Sequence, residues 1–241
     1  MRIESVRFDA SGNATIAASG GVSFFVPAAR VEELRDLVEG ERGGGIERGR
    51  GFPASSAGPE SLAELGPELD KEDELYCLLA AIDEEFKAKK KALELCARAE
   101  QSSRGLEAKL AARGFSRRAV KAALESLRGE GILDDARYAR IWARGRAERR
   151  AEGPALLAAE LRSRGQGEDA VRLALGDIDF SGVLARAAVR EHERLAAVWR
   201  RKGLKIDGSF RDSLYRILRR QGFDPEMIRE EIAKLLQSQG M

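Results

Sequence analysis

The chain has 241 residues, of which 43% are hydrophobic, 34% charged and 6% aromatic. This composition favours a soluble, helix-rich protein of one to three domains and argues against a disordered chain or an aromatic-rich β-sandwich. Two cysteines and one histidine are too few for a disulfide framework, a zinc ribbon or a His-Glu-x-x-His protease. No apolar run follows the N terminus or approaches the roughly 18 residues of a membrane span. We therefore expect a cytoplasmic protein with no signal peptide and no membrane contact.

Charge is distributed unevenly along the chain. Residues 1–75 carry 8 Lys and Arg against 15 Asp and Glu, a net charge of −7, whereas the remaining residues carry 34 against 25, a net charge of +9. A basic body of this kind favours a polyanion or an acidic protein surface as partner, although arginine-rich helix faces are also simply soluble.

The first 40 residues have a strand-like pattern. Residues 2–9, 14–18 and 22–26 predict short strands, because turn-forming Ser, Gly and Asn separate them. Apolar residues at helical spacing then predict a helix after Pro27; they are Val31, Leu34, Leu37 and Val38. We predict a β-meander and a helix over residues 1–40. Residues 41–70 are rich in glycine and cannot bury a core, so they are predicted to form a flexible linker.

The most informative feature is an internal repeat. The pattern Leu-x3-Leu-x3-Gly occurs three times, starting at Leu106, Leu157 and Leu214. Each leucine pair marks one apolar helix face, and each glycine is expected to end its helix with a positive φ. Apolar residues also recur six and ten positions past the glycines; they are Val120, Val171, Ile228, Leu124, Leu175 and Ile232. Ser116 in the first copy and Asp224 in the third are expected to cap the helix that follows.

Each copy of the repeat follows a longer helical pattern, at residues 71–102, about 135–152 and about 180–202. In the first of these helices, Leu93 is predicted to lie on the apolar stripe. One unit of three helices buries too little apolar surface by itself, whereas tandem units stack. The predicted fold is therefore mainly α: tandem three-helix repeats in an elongated array, with a small N-terminal β-element plus helix. The predicted repeats cover residues 71–133, 134–178 and 179–241.

Catalytic and cofactor motifs are absent from the sequence. There is no G-x-x-x-x-G-K-[ST] loop, and Gly43-Gly44-Gly45 lacks the lysine of a phosphate cradle. The pair Asp134-Asp135 is interpreted as a helix cap, with a partner contact and metal or acid–base chemistry as the alternatives. His192 lies in the run Arg-Glu-His-Glu-Arg and is predicted to be solvated, and Cys77 and Cys96 to be half-buried apolar residues. We expect a protein that is not an enzyme and has no metal or cofactor.

Arginines provide the candidate binding residues. Arg137, Arg140 and Arg144 share one stripe of a predicted helix, while Arg146 and Arg150 form a second stripe. Arginine forks bind carboxylates and phosphates, although a solvated helix with Tyr138 and Trp142 in the core is the alternative. Basic residues also recur at the three repeat turns: Arg113, Arg117 and Arg118, then Arg162 and Arg164, then Arg219 and Arg220. This recurrence predicts a partner-binding surface made of these arginines with Asp134 and Asp135.

Taken together, these motifs resemble the RecX family, the bacterial regulators of the RecA recombinase. The most specific portions are Ala92-Leu93-Glu94-Leu95, residues 106–115, Leu124-Glu125-Ser126-Leu127 and residues 131–139. Residues 153–165 and 214–223 are similar to the family's second and third units, and residues 1–40 to an N-terminal β-element of some members. The chain departs from the pattern at residues 41–60, at 203–209 and at Gln166-Gly167, which is expected to weaken the packing of the second turn.

The resemblance implies a regulatory protein that binds RecA–DNA filaments. Members of the family modulate, and usually inhibit, ATP hydrolysis and strand exchange by RecA, which affects DNA repair and the SOS response. Weak binding to single- or double-stranded DNA is also implied, and a monomer is expected. Two alternatives stay open from the residues alone: a stand-alone helical nucleic-acid-binding protein, and a protein–protein adaptor without a link to the recombinase.

Overall fold

The computed structural model describes residues 3–31 and 74–238. Three strands lie in this part: β1 (Ile3–Phe8), β2 (Ala14–Ala18) and β3 (Val22–Val26). The helices with defined bounds there are α1 (Glu74–Arg98), α2 (Ser103–Ala111), α3 (Arg117–Gly129), α4 (Asp135–Arg150), α5 (Pro154–Ser163), α6 (Glu168–Gly176), α7 (Phe180–Arg201), α8 (Gly208–Arg220) and α9 (Pro225–Ser238). Residues 28–31 are also helical, as predicted. The predicted continuation of that helix and the predicted linker over 41–70 lie outside the described residues.

The strands form an antiparallel meander in the order β1-β2-β3, which confirms the prediction for this segment. Gly12, Gly20 and Gly21 have φ values of 80°, 84° and 76° and therefore provide the backbone conformations that the two tight turns require. Alternate residues of the strands point to one side of the sheet, where they are buried against the N-terminal half of α1.

The chain forms two compact units. The first comprises residues 1–99 and 106–132, and the second comprises residues 100–105 and 133–241. In the first unit, α1 packs against the sheet and also against α3. In the second unit, helices α4 to α9 surround a core whose largest buried side chains include Phe210 and Phe223. The mainly helical fold with a small N-terminal sheet is as predicted.

The three repeat turns have the same backbone conformation. Gly114, Gly165 and Gly222 have φ values of 85°, 84° and 90°, so each ends a helix in the left-handed region as predicted. The amide of the following residue donates to the second leucine's carbonyl: Phe115 to Leu110 at 3.4 Å, Gln166 to Leu161 at 3.1 Å and Phe223 to Leu218 at 3.4 Å. All six repeat leucines are fully buried. Ser116 and Asp224 accept amide hydrogen bonds at the starts of α3 and α9, as expected.

Three side chains differ from the sequence-based expectations. His192 is buried, with 4% exposure, and its ring packs edge-to-face on Phe210 at 5.2 Å, because this side of α7 faces the core of the second unit. The prediction of a solvated histidine was wrong. Cys77 is exposed where a half-buried side chain was predicted, whereas Cys96 is half-buried. Leu93 is exposed because the sheet covers the first half of α1, whose second half packs on α3 through Ala88.

Candidate partner-binding surface

The two predicted aspartates make internal hydrogen bonds at the start of α4. Asp134 caps this helix by accepting from the Arg137 amide at 2.9 Å, as interpreted from the sequence. Asp135 accepts from the Ser103 amide at 2.8 Å and from the Gln166 side-chain amide at 3.2 Å. It thereby joins the start of α2, the start of α4 and the second repeat turn, all within the second unit. Gln166, expected to weaken this turn, is buried and bonded there.

A cluster of arginine, glutamate and aromatic side chains ties α4 to α5. The Arg146 guanidinium donates to Glu152 at 2.6 Å and to Glu160 at 2.9 Å, and the Arg146 side chain is 19% exposed. Arg164 lies 4.7 Å from the centroid of the Trp142 ring and donates to the Tyr138 hydroxyl at 3.3 Å. Such half-buried charge pairs and cation–π contacts hold side chains in one geometry. Arg146 and Arg164 are therefore engaged in contacts inside the second unit.

Five other candidate arginines also have internal partners. Three form ion pairs: Arg118 with Glu85 at 3.1 Å, Arg137 with Glu100 at 2.8 Å and Arg162 with Glu168 at 2.6 Å. Two donate to backbone carbonyls near helix ends: Arg113 to Lys109 at 2.6 Å and Arg219 to Phe223 at 3.0 Å. The hydrogen bonds from Arg162 also lower the pKa of the Glu168 carboxyl below its usual value. These contacts compete with any external anion for the same guanidinium groups.

The remaining candidate arginines are exposed, and within the described part of the chain they have no hydrogen-bond or ion-pair partner. They are Arg117, Arg140, Arg144, Arg150 and Arg220. Arg117 belongs to the first unit and the other four to the second. Arg140 and Arg144 lie one turn apart on α4, with Arg137 on the same side of the helix, as the spacing predicted. This part of the predicted surface is available to a partner.

The turns of the second and third repeats each contact a residue at the same position of the preceding copy, inside the second unit. At the second turn, the Arg104 guanidinium donates to the Ser163 carbonyl at 3.2 Å. At the third turn, the Ala155 amide donates to the Gly222 carbonyl at 3.1 Å. Arg104 and Ala155 each stand two residues before the first leucine of a repeat, so the same position receives the next turn in both cases. The two contacts differ in kind: the first joins a guanidinium to a carbonyl that precedes the turn glycine, and the second joins a backbone amide to the carbonyl of the turn glycine itself.

Sequence reasoning missed one exposed apolar residue beside these arginines. Ile141 is 55% exposed on α4, between Arg140 and Trp142. Its position opposite Ala139, Ala143 and Ala147, which are buried, follows from the 3.6-residue period and could have identified it. Among the described residues, no helix is long and apolar enough to cross a membrane, and no three His, Cys, Asp or Glu side chains come together as a metal site.

Comparisons with known proteins agree on one family. Residues 134–175 match the family model described as RecX, second three-helix domain. The regulatory protein RecX of Halorhodospira halophila is 36% identical over 144 residues, which cover 59% of this chain and 84% of that protein. The regulatory protein RecX of Treponema pallidum is 30% identical over 161 residues, covering 67% of this chain and 93% of that protein.

Solved structures show the same fold. A crystal structure of a regulatory protein RecX matches with a TM-score of 0.65 at 18% identity, covering 95% of this chain and 97% of that one. The crystal structure of RecX from Lactobacillus salivarius matches with a TM-score of 0.56 at 18% identity, covering 64% of this chain and 97% of that one. The fold defines a mainly helical protein with a small N-terminal sheet, and several of its arginines are exposed. The chain belongs to the RecX family of regulatory proteins.

Proposed function

We propose that this chain binds the RecA recombinase filament on DNA and inhibits its ATP hydrolysis and strand exchange, thereby affecting DNA repair and the SOS response. It acts in the cytoplasm, as a monomer, by binding and not by catalysis. Membership of a family of regulatory proteins supports this function.

The observation that carries the proposal is the pair Arg140 and Arg144, exposed on α4 without an internal partner among the described residues. Most of the other candidate arginines are held by nearby carboxylates or carbonyls. The two α4 side chains keep all their donors for an external anionic group. An exposed arginine contributes little to folding, so its chemistry is available for recognition.

The repeated units suit a repeated partner. The three repeat turns share one backbone conformation, with φ values of 85°, 84° and 90° at their glycines, and a filament offers the same surface at every subunit. Several weak contacts that engage together raise the overall affinity without any single strong site. A regulator that binds one filament state better than another shifts the filament toward that state by the difference in affinity. Inhibition follows if the favoured state hydrolyses ATP slowly or stops growing.

The test is a titration of this protein into RecA that is hydrolysing ATP on single-stranded DNA. We expect the ATPase rate to fall at substoichiometric amounts, because one bound molecule blocks the growth of a filament. The double variant Arg140→Ala/Arg144→Ala should inhibit much less while keeping its helicity. The matched control Arg200→Ala/Arg201→Ala removes the same charge from exposed positions of α7 and should inhibit like the wild type. An unchanged ATPase rate at equimolar folded protein would contradict the proposal and favour the adaptor alternative.

Direct binding to nucleic acid is the second candidate function, and the same two arginines favour it because phosphates are equally good acceptors. Salt dependence separates the two. A phosphate-dominated complex loses affinity with a log–log slope of about −0.9 per duplex phosphate contacted, or about −0.7 per phosphate of a single strand. Binding to the recombinase should have a shallower slope and should persist with RecA in the absence of DNA.

A further inference from the structure

Ile141 lies at the centre of the exposed side of α4. We call this side the outer face of α4; its residues are Arg137, Arg140, Ile141, Arg144 and Glu148. The opposite side buries Ala139, Ala143 and Ala147, which are at most 1% exposed. With 3.6 residues per turn, Ile141 points almost directly away from these alanines. More than half of its side chain, 55%, is exposed to solvent.

A single exposed aliphatic residue is common on protein surfaces. The surroundings of Ile141 are less ordinary. Arg137 precedes it by one turn and Arg144 follows it by nearly one turn, so its neighbours along the helix are guanidinium groups. A β-branched residue is also a weaker helix former than the alanine and arginine that occupy most of α4. Neither solubility nor helix propensity explains isoleucine at this position.

The mixture of one apolar side chain with several arginines indicates the class of partner. A nucleic-acid backbone offers phosphates and sugars, with which an aliphatic side chain gains little. Protein interfaces instead combine an apolar centre that loses its water with a polar rim, and arginine is enriched in them. An acidic protein surface with a small apolar pocket fits both parts of the outer face of α4.

We propose that the outer face of α4 docks on an acidic protein surface, with Ile141 filling an apolar pocket and Arg140 and Arg144 pairing with carboxylates at the rim of that pocket. The inference deepens the proposed function and rests on it, since it assigns the filament contact to the recombinase protein and not to its DNA. Glu148 lies one turn past Arg144 and disfavours a partner carboxylate at that end of the outer face of α4.

The experiment compares two immobilised targets in a binding-kinetics assay with the full-length protein. One target is a RecA filament assembled on single-stranded DNA with a non-hydrolysable nucleotide, and the other is the same oligonucleotide without RecA. Ile141→Ser should dissociate from the filament about tenfold faster with little change in association rate, because loss of apolar burial affects mainly dissociation. Its binding to the bare oligonucleotide should equal that of the wild type. Arg140→Ala/Arg144→Ala should associate more slowly with the filament and with a weaker salt dependence.

Two further variants sharpen the comparison. Leu173→Ser changes an aliphatic side chain of α6 that is 63% exposed and stands four residues from both Asp169 and Asp177, so it should bind both targets like the wild type. Ile141→Lys adds a charge at the centre of the outer face of α4. It should weaken binding to the filament and strengthen binding to the bare oligonucleotide, because a lysine cannot enter an apolar pocket but attracts phosphate. Circular dichroism checks that each variant is folded.

Each outcome has one meaning. Wild-type dissociation of Ile141→Ser and Ile141→Lys from the filament would overturn this inference and leave the proposed function intact. An equal loss of binding to the filament and to the bare oligonucleotide would assign the outer face of α4 to nucleic acid and would also overturn it. If the wild-type protein does not bind the filament, the proposed function fails, and this inference fails with it.

Discussion

Leu161 tests whether the repeat leucines hold the second unit together. Its side chain is fully buried in the core formed by α4 to α9. Its backbone carbonyl accepts the Gln166 amide at the turn that follows α5. Leu161→Ala removes three carbon atoms, for which lost transfer free energy amounts to about 2.4 kcal/mol at roughly 0.8 kcal/mol per carbon. The cavity left behind adds to this, so we expect the free energy of unfolding to fall by about 3–4 kcal/mol.

Tryptophan fluorescence provides a selective assay. The chain contains two tryptophans, Trp142 and Trp199, and both lie in the second unit. Urea unfolding followed by their emission therefore reports on the unit that contains Leu161. With an m-value of about 1.5 kcal/mol/M, the predicted loss lowers the urea midpoint by roughly 2–2.7 M at unchanged m-value.

Leu173→Ala is the matched control, because it makes the same chemical change at a side chain that is 63% exposed. It should change the free energy of unfolding by less than about 0.5 kcal/mol. Leu110→Ala makes the same change in the first unit, so it should alter the transition seen by circular dichroism and leave the tryptophan transition nearly in place. If Leu161→Ala and Leu173→Ala have the same midpoint, the repeat leucines are not the core of the second unit.

Two further predictions concern the repeat turns. Gly222→Ala should lower the free energy of unfolding by more than about 2 kcal/mol, since a Cβ there lies 2.6 Å from the Leu156 backbone nitrogen and φ is 90°. Gly203→Ala is the control, because φ there is 67° but no atom stands close to the added Cβ; it should lower the free energy of unfolding only by the backbone strain, about 1–2 kcal/mol. Equal melting temperatures of the two variants would refute the close contact at Gly222. Arg162→Gln should raise the pKa of Glu168 toward its ordinary value, as carboxyl NMR titration can measure, because the lowered pKa comes first from the Arg162 hydrogen bond. The stabilisation from this ion pair is present above the pKa of the carboxyl in the unfolded chain and is lost as pH falls through its pKa in the folded protein. The free energy of unfolding of Arg162→Gln should therefore decline less on acidification than that of the wild type. An unchanged Glu168 titration in the variant would refute the pairing.

Local patterns in the sequence determined the elements and the turns between them. The strands β2 and β3, the three glycines with positive φ and the caps at Ser116, Asp134 and Asp224 follow from neighbouring residues alone. Hydrophobic periodicity and turn chemistry act over a few residues, so each of the three copies of the repeat predicts the same apolar helix face and the same turn by itself. The burial of the repeat leucines was predictable for the same reason.

Contacts between distant residues required the tertiary structure. The sequence places Arg140, Arg144 and Arg146 on one helix but does not reveal that Arg146 is held by Glu152 and Glu160 while the other two are exposed. Likewise, His192 has charged neighbours along the chain, and its burial against Phe210 depends on which side of α7 meets α8. Sequence spacing determines which residues share a helix face, whereas the packing of other helices on that face decides which charges find partners and which remain for another molecule.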